Sequence, residues 1–198
     1  MWSCSVVGAD KPSGTGPIRG IHAFEERLKQ ISGLNALFVR AGYFMENTLP
    51  QVGAIKQTGA VAGPRKAELK VPMIATRDIG QYAADALNAL SFRGQQTRDL
   101  LGQRDISYAE VTAIIGNAIG KSDLEYRQMT SDQFAALFMQ MGASKSMADS
   151  LAEMTEAMNA NQILPLEARS ASNSTPTSFE QFATDTFAPA YRAAAAAA

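Results

Sequence analysis

The chain has 198 residues, 46% of them hydrophobic and 19% charged, with a formal net charge of −1. This is the composition of an ordinary globular protein of one domain or a domain with an appendage, and it offers no electrostatic drive toward nucleic acid or an anionic membrane. A single cysteine, Cys4, and a single histidine, His22, exclude an intramolecular disulfide and a zinc site of usual composition.

Residues 3–7, rich in Ser and Val, read as a short buried strand. Met1 precedes it by two residues. A parallel strand needs neighbours on both sides, so the chain reads as starting inside a sheet. Asp10 to Pro17 is dense in turn residues and is expected to be loop. Ile21, Phe24, Leu28 and Ile31 then fall at helical spacing, with Gly33 as the stop and Glu25, Glu26, Arg27 and Lys29 on the solvated face. Asn35 to Val39 makes a second strand, completing a βαβ rhythm. Residues 40–70 show few apolar periods and predict a long, semi-ordered excursion over a ligand site, before Val71–Ile74 returns to extended structure.

Asp78 reads as the cap of a helix with Ile79, Ala83, Ala86, Leu87 and Leu90 inward, and Arg98–Leu101 as a strand. Ser107 and Glu110 form a capping box before a helix that Gly120 closes. Leu124–Met129 suggests another strand, and Thr130 with Gln133 caps the next helix, stopped by Gly142. Over 146–159 a stripe of Met147, Leu151, Met154 and Met158 is read as core rather than as an adaptable binding face. Residues 168–177 have linker composition. Thr177 and Glu180 are expected to cap a last helix carrying Phe179, Phe182, Ala183 and Phe187, and the alanine run 193–198 should fray.

Few side chains carry chemistry. Gly14, Gly16 and Gly20 lie between a strand and a helix, as a dinucleotide loop would. However, they come late after the strand, Pro17 removes a donor, and the next strand ends on Arg40 rather than on an acid that grips a ribose. His22 reads as a surface or capping residue, and Cys4 as a small core residue rather than a nucleophile. Tyr43-Phe44-Met45-Glu46-Asn47 follows the C-terminal end of a parallel strand, where open α/β sheets bind ligands. Its aromatics either line a mixed pocket or pack under the following loop.

Taken together, several segments resemble the NmrA-like group of atypical short-chain dehydrogenases/reductases. They are Ser5-Val6-Val7-Gly8-Ala9, Glu25-Glu26-Arg27-Leu28, Ser32-Gly33-Leu34-Asn35, Arg40 to Asn47, Thr76-Arg77-Asp78-Ile79-Gly80, Leu101-Gly102-Gln103-Arg104, Ser107 to Val111 and Phe179 to Ala183. The most specific combination is Phe44-Met45-Glu46-Asn47 followed at a distance by Arg77-Asp78-Ile79. Their order suits the C-terminal two-thirds of such a protein.

The resemblance implies an α/β fold: a partial Rossmann-type parallel sheet lacking its N-terminal strands, with a smaller, mostly helical substrate lobe. Residues 1–45 would be the remnant of an NAD(P)-binding domain. Residues 46–167 would be the substrate lobe, with a segment near 71–76 returning to the sheet, and 168–198 a linker, terminal helix and alanine tail. It implies an NAD(P)H-dependent oxidoreductase acting on a small carbonyl, quinone or similar acceptor, truncated as this chain and with its activity left open. The alternatives are a non-catalytic NAD(P)-sensing regulator or a fragment that binds no dinucleotide. The lone cysteine and the lack of a secretory signal or membrane-length apolar run make the cytoplasm the default.

By the same resemblance the cofactor is NADP or NAD, met by Ser5, Ala41, Gly42, Tyr43 and Phe44, while Phe44 and Asn47 face the substrate. The Lys that such relatives keep four residues before the helix glutamate falls at Ile21, beside His22, and no catalytic Tyr/Lys pair is found. A strand flank left bare would favour self-association.

Overall fold

In this computed structural model, residues 1–90 and 92–196 are described. In chain order the strands and helices are β1 (Trp2–Val6), α1 (Ile18–Lys29), β2 (Ala36–Ala41), β3 (Tyr43–Phe44), a 3₁₀ turn (Met45–Thr48), α2 (Gln51–Thr58), β4 (Ala60–Gly63), β5 (Val71–Ile74), α3 (Thr76–Ala89), β6 (Gln95–Leu100), β7 (Asp105–Ile106), α4 (Tyr108–Ile119), β8 (Glu125–Gln128), α5 (Ser131–Gln140), α6 (Lys145–Asn159), α7 (Phe179–Phe182), a π turn (Ala183–Phe187) and α8 (Ala188–Ala196). The class is α/β. β1, β2 and β6 form a parallel sheet in the order β1-β2-β6, with Cys4 opposite Val39 and Val39 opposite Arg98. β3 pairs parallel with β5, which turns antiparallel to β7, and β4 pairs parallel with the distant β8.

β2 is buried along its whole length, as expected of a central parallel strand. One of its faces packs with Ile79 of α3, Phe92 and Leu100, with Trp2, Tyr82 and Ala86 at the margin. A second apolar cluster brings Met45, Ile55, Val61 and Met73 against Val111 and Ile115 of α4 and Phe179, Phe182 and Phe187 of the C-terminal helices. The three phenylalanines are thus core, as their spacing predicts.

The other face of the β1-β2-β6 sheet departs from expectation. Glu25 has no solvent-exposed surface, whereas Phe24 and Ile31 are about half exposed. Of the charged stretch of α1, Glu26 and Arg27 are exposed as expected, but Glu25 is turned inward. Arg40, also buried, donates from Nη2 to Glu25 Oε2 at 2.7 Å and from Nε to Oε1 at 3.1 Å, while Ser5 Oγ donates to Oε1 at 2.5 Å. Burial by itself would raise the Glu25 carboxyl, but the hydrogen bonds from Arg40 and Ser5 outweigh it and hold the group below the usual glutamate range. Helical periodicity alone placed the wrong stripe inward, because a fully satisfied ion pair competes with apolar side chains for a buried position.

Several local expectations also change. Residues 43–63 are not a semi-ordered excursion but β3, a 3₁₀ turn, α2 and β4, whose periods are too short to register, while the run 64–70 lacks a helix or strand. Asp78 does not cap α3. The Glu46 carboxylate does so from outside, accepting Thr76 N at 3.0 Å and Thr76 Oγ1 at 2.7 Å. Asp78 instead accepts Thr177 N at 3.1 Å and Thr177 Oγ1 at 2.7 Å, so Ser178, not Thr177, caps α7. Leu87 and Leu90 are exposed rather than inward. Cys4 is exposed too, because alternation along β1 buries Ser3 and Ser5 under α1 and turns Cys4 to the opposite face of an edge strand.

The capping boxes at Ser107/Glu110 and Thr130/Gln133 are present as predicted. The stretch 168–177, linker-like in composition, is tied down: Arg169 donates to the carbonyl of Gly102 and pairs with Asp105, and Leu101 N donates to the carbonyl of Asn173. Of the alanine run expected to fray, Ala197 and Ala198 lie outside the described residues. Among those described, no helix is long and apolar enough to cross a membrane.

Glu25→Gln leaves Arg40 buried without its counter-charge and is expected to destabilise the chain by about 3 kcal/mol at neutral pH, read by urea unfolding. The folded-state titration of Glu25 is depressed, so the pair stabilises fully above about pH 4.5 and loses its contribution as pH falls below that range. The gap between wild type and variant is therefore expected to narrow on acidification.

Candidate functional site

The C-terminal ends of β1 and β2 stop where the chain must turn away, leaving a crevice bordered on its far side by α6 and the segment after it. Here lies a cavity of about 230 Å³. Val6, Val7, Ala41, Gly42, Tyr43, Phe44 and Asn47 form one wall, while Met154, Met158, Ile163, Leu164 and Pro165 form the other. Arg65, Lys70, Pro72 and Asp105 also reach it.

The structure thus gathers Ala41, Gly42, Tyr43, Phe44 and Asn47 around one space. Ser5 is not on its lining. That hydroxyl is turned under α1 to Glu25, and its residue is about 1% exposed. The two readings of the aromatic stretch both hold for Tyr43, which lines the cavity and also packs against the second apolar cluster. Met154 and Met158, read as core, are half-buried cavity wall, and Met147 is exposed; the buried residues of α6 include Ala148, Thr155 and Ala157.

Backbone shape builds the near wall. At Gly42 a Cβ would sit 2.7 Å from the carbonyl oxygen of Pro72, so only glycine lets β5 run this close to the end of β2. The Gly14–Gly20 stretch is a connector. A Cβ on Gly16, whose φ is +57°, would run into the carbonyl of Ser150, so this glycine serves the packing of the loop against α6. His22, half-buried, ties α1 back to the same loop through Nδ1 and the carbonyl of Ala9, 2.9 Å apart.

A cluster of three tyrosines stands beside the cavity. Tyr108 and Tyr126 rings are 5.3 Å apart and Tyr43 and Tyr108 are 6.4 Å apart. Tyr108 Oη donates to Tyr43 Oη at 3.2 Å. Burial, followed by the neighbouring Tyr43, pushes the Tyr108 phenol well above its ordinary range, so it stays protonated and keeps donating. Tyr43 accepts that bond. The Tyr126 phenol is likewise raised by burial, and its Oη donates to the carbonyls of Gly63 and Arg65 at 2.9 and 2.8 Å. Neither Arg65 nor Tyr108 was singled out from sequence. Tyr108 follows a capping serine and looks like any first-turn residue, while the only signal for Arg65 was the fixed turn implied by Gly63-Pro64.

The model of the NmrA-like family matches residues 22–183. The chain belongs to the NmrA-like family. It is 35% identical over 125 residues to an NAD(P)H azoreductase of Xenophilus azovorans, covering 63% of this chain and 43% of that protein. Against Prestalk A differentiation protein A of Dictyostelium discoideum it is 27% identical over 167 residues, 82% of this chain and 54% of that protein. The chain therefore spans about half the length of these curated relatives. An NADPH-dependent quinone oxidoreductase of Escherichia coli shares the fold with a TM-score of 0.74 at 19% identity, over 94% of this chain and 66% of that one. At that identity the likeness establishes the Rossmann-type fold.

The family's nicotinamide dinucleotide can be tested against the residues present. A mostly apolar wall at the strand ends, around Ala41 to Phe44, suits a nicotinamide ring. No comparable donor set for the pyrophosphate occurs among the described residues, since the Gly16 turn is spent on α6. Gly42→Ala is expected to destabilise the chain by about 1–3 kcal/mol and shrink the cavity, because its new methyl meets main chain rather than a movable side chain. Thermal melts of the variant would check this.

Proposed function

We propose that this chain carries the reactive end of an NAD(P)H-dependent reductase of the NmrA-like family, whose acceptor is a quinone, azo compound or similar small molecule. The observation that carries the reading is the cavity at the C-terminal ends of β1 and β2, where Val6, Val7 and Ala41 to Phe44 face α6 across a space of about 230 Å³. On this reading Ala41, Gly42, Tyr43 and Phe44 hold the nicotinamide, and Phe44 and Asn47 face the acceptor. Ser5 acts at one remove, by fixing Glu25 and so the strand ends.

The bound cofactor would supply a hydride. The chain's part is to orient the acceptor against that face, to keep water out with Met154, Met158 and Ile163, and to hold a proton at Tyr43 Oη. Ile21, in the position where relatives keep a lysine, does no acid/base work. An acceptor whose reduction asks little of a protein acid fits that apolar substitution, and Tyr43, which lines the cavity and accepts a hydrogen bond from Tyr108, is the proton source on this reading.

Isothermal titration with NADPH and then NADH, followed by cofactor oxidation in the presence of menadione, tests the reading. Micromolar binding with turnover is expected, and Tyr43→Phe should lower kcat by at least about tenfold with little change in acceptor KM. Tight binding without oxidation would replace this reading with the second one, a dinucleotide sensor, which the missing lysine at Ile21 favours. A folded chain that binds neither cofactor would leave a fragment without dinucleotide function. The same proposal extends to self-association. The outer edge of β1 is unpaired among the described residues, so copies should associate there, and a clean monomer by light scattering would remove that part.

A further inference from the structure

We propose that Arg65 is an anion subsite: it holds a carboxylate or sulfonate borne by a planar aromatic acceptor and thereby sets the substrate class of the cavity. The word acceptor rests on the reductase reading above, whereas the anion subsite does not.

Arg65 is 6% exposed and lines the cavity. A guanidinium so buried is ordinarily matched by a carboxylate, because a desolvated charge without a partner is costly. Here, among the described residues, no carboxylate pairs with it. The acid on the cavity lining, Asp105, is committed to Arg169, and Glu110 nearby is shared by Arg104 and Lys70. Among the described residues, the one side-chain hydrogen bond of Arg65 runs from Nη2 to the thioether of Met158 at 2.9 Å, and sulfur of this kind is a weak acceptor.

Its charge is met by aromatic rings. The guanidinium carbon lies 3.9 Å from the Tyr43 ring centroid and 5.8 Å from that of Tyr108. Stacking of this kind compensates charge through the ring face but leaves the N–H donors without oxygen acceptors. These donors are what a carboxylate or sulfonate would take up, in charge-assisted pairs.

The arginine is also held in advance. Its carbonyl accepts Tyr126 Oη, while Asn159 of α6 brackets it, donating to the carbonyl of Pro64 and accepting Lys66 N, both at 2.9 Å. The backbone on either side is therefore fixed before any ligand arrives, which lowers the ordering cost of binding. Around it, Phe44, Met154, Ile163 and Leu164 offer an apolar slot for a flat ring. A buried cation beside such a slot fits an aromatic acid better than a neutral aromatic.

Calorimetric titration of the purified chain, without cofactor, with naphthalene-2-sulfonate and its neutral counterpart naphthalene-2-sulfonamide tests the inference. Wild type should bind the sulfonate about tenfold more tightly. Arg65→Met should abolish that preference while leaving sulfonamide affinity in place, which also reports that the variant is folded; Arg65→Lys should retain part of it. Equal affinities in wild type, or binding of neither compound, would overturn the subsite, and a preference surviving in Arg65→Met would overturn its assignment. The wild-type ratio decides even if the methionine variant fails to fold. Cofactor oxidation with 1,4-naphthoquinone-2-sulfonate separates the two readings: sulfonate preference without turnover retires the reductase and keeps the subsite, whereas turnover of neutral quinone without sulfonate preference does the reverse.

Discussion

Glu25, Arg40 and Ser5 come from α1, β2 and β1, and their hydrogen bonds join the three elements that bring the chain to the edge of the cavity. Removing water from both charges costs more than a single ion pair returns, so the arrangement holds only because Arg40 reaches the carboxylate through two nitrogens and Ser5 occupies a further acceptor site. Such a network tolerates little sliding. A shift of one residue in the β1–β2 register would put Ser5 and Arg40 on opposite faces of the sheet and break the network around Glu25. The strand ends at Val6-Val7 and Ala41-Gly42 therefore stand in fixed relation to each other, which is the condition for any precise chemistry at that edge.

On this rigid side the structure adds a second group of polar ties that fold distant segments back over the crevice. Glu46 caps α3, Asp78 receives Thr177, and Asp99 takes the backbone N–H groups of Leu166 and Glu167 at 2.6 and 2.7 Å. Each joins residues 30 to 100 positions apart, and each uses a carboxylate to satisfy main-chain donors that would otherwise be orphaned. The far wall of the cavity, Ile163 to Pro165, precedes the Asp99 contact directly and is positioned by it.

Much of this was legible in the residues themselves. Alternation and β-branched content exposed the strands, S-x-x-E and T-x-x-Q gave two helix starts, and helical spacing gave the buried Phe179, Phe182 and Phe187. The placing of Tyr43, Phe44 and Asn47 at a strand end followed from the general position of ligand sites in open α/β sheets, and that of Ala41 and Gly42 from the family resemblance. What escaped was of two kinds. Elements of two to eight residues, such as β3, α2 and β4, carry too little periodicity to read. Side chains whose role depends on a partner far along the chain, such as Glu25 with Arg40, Asp78 with Thr177 and Arg65 with Tyr43, look locally like solvated charge or a routine cap.

The two walls of the cavity are made of different material. The strand-end wall is shaped at Ala41-Gly42 by main chain pressed against main chain, where the carbonyl of Pro72 leaves no room for a larger residue. The opposite wall is side chain, supplied by Met154, Met158, Ile163 and Leu164 from α6 and the turn beyond it. Divergence among descendants is consequently lopsided. Point mutations can re-cut the second wall one methyl at a time while the first stays locked by its backbone, so the shape of the cavity can drift on one side only.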